Sequence, residues 1–279
     1  MKYFKYLIAI AVLVISVQAC KSQYELLLEG NDVDAKYAAA FSFFNQGKYN
    51  KSAQLFESLS ALTSGTERDD TVQYYWGLSN YRFKDFYTAE TNFTTFMANF
   101  PRSPFAESAR YLRIDCLYRN TLRYELDQVP TNTAVAAIGE YLTEYPDTPY
   151  KEVCTIMLDD LADRLDKKAF ESAKLYYTME DYLASSVALK NVLKDDAENN
   201  YREDVLYYIA MSAYKYAELS IPEKQKERYL TFVDDYLNFI GEYPESGYRK
   251  ELDGHYKRVQ RLLGRYSTVL PDTDDADES

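Results

Sequence analysis

The 279-residue sequence holds one histidine, three cysteines, one tryptophan, nine glycines and eight prolines. The lone imidazole, His255, has no second His or Cys near it, which excludes a metal centre built on those ligands; its charged neighbours make it a surface residue. The glycines form no phosphate-cradling loop and no nucleophile elbow. The acidic pairs Asp69-Asp70, Asp159-Asp160 and Asp234-Asp235 are chain neighbours, so on a helix their carboxylates point apart and read as solvated faces or helix starts. No catalytic residue, metal or cofactor is therefore expected. Positive charge is scarce as well: 32 Lys and Arg against 44 Asp and Glu leave a net −12. Such a surface does not recruit nucleic acid or anionic head groups by counterion release.

The apolar run Leu7 to Ile15 has nine residues, too few to cross a bilayer. Lys2 and Lys5 precede it and Ser16-Val17-Gln18-Ala19 leads into Cys20, so residues 1–19 read as a secretory signal. A small residue directly before Cys20 resembles a lipobox, although Gln18 departs from the small residue usual at its position. Cys20 is then the lipidated first residue of the mature chain, several acyl chains giving the stable anchoring that one does not. Losing Lys2 and Lys5 takes the net charge from −12 to −14, so the lipid rather than the protein face must hold the chain at a membrane. Residues 20–30 form a lipidated linker, and residues 267–279 an acidic tail with disordered composition.

What the chain has in quantity is aromatic, 29 Tyr and 14 Phe, and it is arranged periodically. One phrase occurs three times: Phe100-Pro101-Arg102-Ser103-Pro104-Phe105, Tyr145-Pro146-Asp147-Thr148-Pro149-Tyr150 and Tyr243-Pro244-Glu245-Ser246-Gly247-Tyr248. Pro stops one helix, Ser or Thr starts the next, and an aromatic opens it. Before each Pro, at fixed distances of five, eight and twelve residues, stand Phe96, Phe93 and Ala89, then Tyr141, Ile138 and Ala134, then Phe239, Tyr236 and Phe232. Such offsets share one helical face. Gly47-Lys48-Tyr49 with Ser52, Phe56 and Leu59, and Asp181-Tyr182 with Ser185, Leu189 and Val192, add two further units. The pattern is that of tetratricopeptide-like repeats, with a period of about 34 residues. It predicts an all-α right-handed superhelix of about five helical hairpins: repeats one to three over 31–146, repeats four and five with a capping helix over 147–266.

The irregularities are also predictive. A polar stretch from Asn120 to Asn132 reads as a loop inside the third repeat, a long helix runs from Tyr150 to about Met179, and the junction Asp195 to Tyr201 has lost its Pro but kept its aromatic. Aligning Phe105 with Tyr150 leaves Cys116 and Cys154 seven residues out of register, roughly 10 Å along a helix and beyond disulfide reach. Both read as buried small residues.

In such arrays the first helix of each pair lines the concave groove. Repeat register selects Tyr37, Phe41, Phe44 and Asn45, then Tyr74, Tyr81 and Arg82, then Phe105 and Arg119 as groove-facing. Rings that interhelical packing leaves unused form an apolar patch suited to a partner. The expected ligand is an extended peptide carrying an aromatic, with Arg82 or Arg119 for its carboxylate. The competing expectation is closure of the patch by the chain's own Ser22 to Gly30, through Leu26-Leu27-Leu28.

The lipobox, the repeats, Gly47-Lys48-Tyr49 through Phe56, the aromatic-Pro junctions and the segment from Ala169 to Tyr182 together resemble the BamD family, lipoproteins of the outer-membrane β-barrel assembly machinery; Ile221 to Tyr229 is similar to its Bacteroidota members. The resemblance covers about Cys20 to Tyr266. It implies a non-enzymatic scaffold, lipid-anchored on the periplasmic face of the outer membrane. Its N-terminal repeats would bind targeting signals of unfolded outer-membrane proteins, and its C-terminal repeats the BamA-like barrel subunit. Lys21 after Cys20 fits that address, since the Asp that retains lipoproteins at the inner membrane of enteric bacteria is absent. The alternatives are another tetratricopeptide scaffold coordinating envelope or peptidoglycan machinery, and a hydrolase hidden in a helical solenoid. Lipidation predicts that Cys20→Ser abolishes incorporation of labelled fatty acid and moves the protein from the membrane to the soluble fraction.

Overall fold

The computed structural model describes residues 23–269; the signal segment, Cys20 and the tail from residue 270 lie outside them. Twelve helices and no strand occur among the described residues: α1 (Gln23–Glu29), α2 (Val33–Asn45), α3 (Tyr49–Leu62), α4 (Asp69–Phe83), α5 (Phe86–Asn99), α6 (Ala106–Arg119), α7 (Val129–Glu144), α8 (Lys151–Thr178), α9 (Tyr182–Asp195), α10 (Arg202–Glu218), α11 (Pro222–Glu242) and α12 (Arg249–Val269). The chain divides into two compact units. Among the described residues, one comprises 23–122 with Gln128–Leu158, the other Arg123–Asp127 with 159–269. Within the first unit each helix from α2 to α7 packs on its successor, and within the second the same holds from α9 to α12. This is the hairpin array that the repeats predict.

Two turn designs recur along it. Inside three of the hairpins the first helix ends on a left-handed residue, Gly47 (φ 73°), Lys84 (φ 69°) or Glu180 (φ 62°). Its N–H returns to the helix, Gly47 to Phe44, Lys84 to Tyr81 and Glu180 to Tyr177, while the following N–H of Lys48, Asp85 or Asp181 reaches Phe43, Asn80 or Tyr176. That pair of bonds satisfies carbonyls a helix end otherwise orphans. The Asp85 and Asp181 carboxylates then accept the N–H of Thr88 and Ala184, starting the second helix.

Between hairpins the repeated phrase works differently from a simple N-cap. The Ser or Thr oxygen accepts the N–H of the aromatic two residues on, Ser103 from Phe105, Thr148 from Tyr150 and Ser246 from Tyr248; the helix begins only after that aromatic. At the junction without Pro, Asn199 does the same for Tyr201. Each oriented ring then stacks on one from the preceding first helix: Phe105 on Tyr74 (4.5 Å), Tyr150 on Tyr111 (3.7 Å), Tyr201 on Phe170 (5.6 Å) and Tyr248 on Tyr207 (4.0 Å), all within 16° of parallel. The hydroxyls of Ser103 and Thr148 donate to Asp70 and Glu107, which stand in the first turns of α4 and α6. One short turn thus sets the register of successive repeats. The 34-residue period appears directly as bonds between residues that far apart, Tyr74 to Ser108, Tyr81 to Asp115 and Arg110 to Glu144 in the first unit, and Asn200 to Asp166 in the second.

The second helices deliver the core. Ala89, Phe93 and Phe96, Ala134, Ile138 and Tyr141, and Phe232, Tyr236 and Phe239 are all buried. Buried hydroxyls mark close helix approach in both units: Ser52 bonds Ser79 at 3.1 Å and Ser212 bonds Ser185 at 3.0 Å, each pair 27 residues apart. Cys116 and Cys154 are buried, unpaired thiols, and burial pushes Cys116 up to about 12. The third-repeat loop is shorter than its polar composition predicts, because α7 already begins at Val129. Pro130 occupies the first turn, where a missing N–H costs nothing. His255 is half-buried rather than fully at the surface: its ring lies 4.1 Å from that of Tyr214, and burial holds its pKa below the ordinary value.

Gly77 faces the Phe93 ring, and an added Cβ would stand 2.9 Å from it. Gly77→Ala is therefore expected to destabilise the chain by about 1–3 kcal/mol. Lys84→Gly, relieving a left-handed Lys, should stabilise it by about 1 kcal/mol. Urea unfolding followed by circular dichroism reads both signs.

Candidate peptide-binding surface

The first helices of the first unit, α2, α4 and α6, carry every residue that repeat register selects there except Phe105, which immediately precedes α6. On α2, Tyr37, Phe41 and Phe44 fall four and three residues apart and form one half-buried stripe, with exposed Asn45 at its end. Tyr37 and Phe41 are in ring contact at 4.9 Å, and the Arg68 guanidinium lies 4.9 Å over Tyr37. The stripe continues onto α4 through Tyr75, which meets Phe41 at 4.6 Å and Phe44 at 5.3 Å and reaches Phe105 at 6.2 Å. Tyr75 meets Phe41, Phe44 and Phe105 edge to face and Tyr37 lies tilted against Phe41, contacts that fix orientation as well as burying area.

Tyr75 is the residue that sequence reasoning missed. Its signal was present, since Phe41 and Tyr75 are one 34-residue period apart, whereas Tyr74 aligns with Ala40. Tyr74 is 7% exposed and sits in the core with Phe93, Phe96 and Leu112. Its hydroxyl bonds Ser108 at 2.8 Å, and burial pushes its pKa up. Tyr75 is only half-buried, between the core and the surface stripe.

The two candidate cations differ. Tyr81 donates to the Asp115 carboxylate at 2.6 Å, and Arg119 pairs with the same oxygen while lying 5.1 Å over the Phe86 ring. Asp115 is 3% exposed, so this is a compact triad in which a buried acid is satisfied by a phenol and a guanidinium. Burial raises the Tyr81 pKa first, and the Asp115 carboxylate raises it further; the hydrogen bond to Asp115 raises that of Arg119. Arg82 stands in the last turn of α4, exposed and outside the ion pairs among the described residues. It lies seven residues beyond Tyr75, on the same helix face. The arrangement therefore offers half-buried rings leading along one face to an unengaged guanidinium.

The N-terminal segment packs Leu27 and Leu28 against the same Ala40, Leu55 and Phe56 core as Tyr37, Phe41 and Tyr75, while its ring and polar contacts fall on another face. Tyr24 of α1 meets Phe43 at 5.5 Å and bonds Gln54 at 2.6 Å, and the buried Lys36 ammonium donates to the Leu28 carbonyl at 2.9 Å and to Ser58. Phe43, Gln54 and Ser58 lie on a different face of the α2/α3 pair from Phe41 and Phe44.

The family YfiO, described as outer membrane lipoprotein, matches residues 30–230. Over 222 residues, 78% of this chain and 72% of the relative, the sequence is 21% identical to the outer membrane protein assembly factor BamD of Caulobacter vibrioides. Among the described residues no helix is long and apolar enough to cross a membrane.

Because Asp115 holds both Tyr81 and Arg119, Asp115→Ala is expected to cost about 2 kcal/mol of stability. Arg82→Gln, which breaks no bond, should leave the urea midpoint unchanged.

Proposed function

The chain belongs to the YfiO family of outer membrane lipoproteins, and on that premise we propose that it is a non-enzymatic scaffold in the assembly of outer-membrane β-barrel proteins. The relative's name, outer membrane protein assembly factor, supports the process. The aromatic surface supports the molecular task. Tyr37, Phe41, Phe44 and Tyr75 hold one another in place before any ligand arrives, so a peptide ring added to the row loses its own freedom but does not have to order theirs. Arg82, two turns along the same face, receives a carboxylate, and its position at a helix C-terminus is favourable for a cation even when unoccupied. An extended segment of an unfolded outer-membrane protein, ending in an aromatic residue and a carboxylate, meets both features. This is the observation that carries the proposal: preordered rings continuous with an unpaired guanidinium.

In this reading Cys20 carries the lipid, the chain faces the periplasm, and repeats four and five with α12 contact a BamA-like barrel subunit. Anchoring and partner contact then leave the surface of the first unit for clients. No reaction is assigned to the protein, and its task is to hold chains near the subunit that inserts them.

A peptide ending in Phe with a free carboxylate is the direct probe. Tyr75→Ala and Phe41→Ala should each weaken its binding about tenfold, and Arg82→Gln should weaken the free acid but not the C-terminal amide. Equal affinity of acid and amide for the unaltered protein would remove Arg82 from the proposal, and unchanged affinity in Tyr75→Ala would remove the surface.

A further inference from the structure

The second unit contains a cavity that the client surface does not use. It measures about 670 Å³ and runs between α8 and α9, with Ala169, Ala173, Ala188 and Val192 on its floor. Tyr176, 44% exposed, stands at one end. At the other end stand three carboxylates, Asp166 on α8 and Asp195 and Asp196 where α9 ends.

Among the described residues no Lys or Arg forms an ion pair with those carboxylates: Lys194 precedes Asp195 in the last turn of α9 without pairing to it, and Arg202 is held by Glu242 and the Ala197 carbonyl. Asp166 accepts the Asn200 N–H at 3.0 Å and Asp196 that of Glu198 at 3.0 Å, both neutral donors. The basic residues of α8 are turned to other tasks. Arg164 pairs with Asp160, Lys168 donates to the Glu125 carbonyl, Lys167 lies over the Tyr124 ring, and Lys174 pairs with Glu171. Burial raises the pKa of Asp166, and although the Asn200 N–H relieves it, the neighbouring Asp196 and Asp163 carboxylates raise it again. An apolar channel thus ends in three carboxylates that no ion pair engages among the described residues.

We propose that this groove docks an extended segment of a partner protein, with small apolar side chains along the floor and Lys or Arg at the Asp166–Asp196 end. The dimensions agree: Ala162 to Tyr176 is about four helical turns, roughly 21 Å, the span of about six extended residues. Charge complementarity decides the chemistry and the direction. An acidic or C-terminal carboxylate segment, the kind matched to Arg82, is repelled here. The two surfaces therefore sort two kinds of peptide by charge, one in each unit.

The test uses full-length protein in detergent and a labelled peptide, acetylated and amidated, reading Leu-Ala-Leu-Ala-Leu-Gly-Lys-Arg, with a control ending in Glu-Asp. Fluorescence anisotropy should show saturable binding of the basic peptide, weakening as salt rises, and none of the control. Asp195→Asn with Asp196→Asn should weaken it about fivefold or more. Ala162→Phe, an exposed rim position where a ring narrows the groove, should weaken it similarly at an unchanged melting temperature. Tyr75→Ala should leave it unaltered. No saturable binding, equal binding of the acidic control, or unchanged affinity in the double Asn variant would overturn the proposal. Loss of binding in Tyr75→Ala would overturn it too, by moving the peptide to the first unit, and the client reading would survive that result.

Discussion

A ring whose backbone N–H is held by the side chain two residues earlier stacks face to face on a ring of the previous repeat's first helix. This contact recurs at Phe105, Tyr150, Tyr201 and Tyr248, and the placement of the helices that follow these four junctions depends on it. A stacked pair contributes about 0.5–1.5 kcal/mol beyond its buried area, so its importance is geometric more than energetic. The hydroxyl or amide removes the aromatic's backbone freedom, the stack then fixes where the next helix starts, and interactions 34 residues apart follow. Asn199 shows that the constraint lies in the hydrogen-bond acceptor and the ring; the Pro found at the other three junctions is dispensable.

The same register makes a surface. Once α2 and α4 are placed side by side, Tyr75 is brought between Phe41 and Phe44, and rings that a single amphipathic helix would leave isolated become one ordered row. Tyr74, one residue away, turns into the core. The difference between a packing residue and a recognition residue is here 100° of helix rotation. The chemistry at the C-terminal ends of the first helices is divided by the same means. Asp115 draws in Tyr81 and Arg119, because a buried carboxylate must be satisfied, and leaves Arg82 outside.

Much of this was legible beforehand. The core offsets before Pro101, Pro146 and Pro244 named nine residues that are all buried, because a 3.6-residue period writes burial directly into spacing. The long α8 and the helix following Tyr248 were read from the same pattern, and the family follows from features that are linear in the chain. His255 and Arg119 were not legible in the same way. A histidine among charged residues gives no sign that Tyr214, 41 residues earlier on another helix, will cover it, and an exposed-looking arginine gives no sign that a buried acid will engage it.

The sequence by itself determined the helices, their core faces and the repeat register, since each depends on interactions within about one period of the chain. Only the tertiary structure decided which of two adjacent tyrosines faces outward, which arginine stays unpaired, and that α8 and α9 enclose a groove ending in carboxylates that no ion pair engages among the described residues. These depend on side chains from different hairpins competing for the same space and the same charge, a competition whose outcome is fixed when the helices meet.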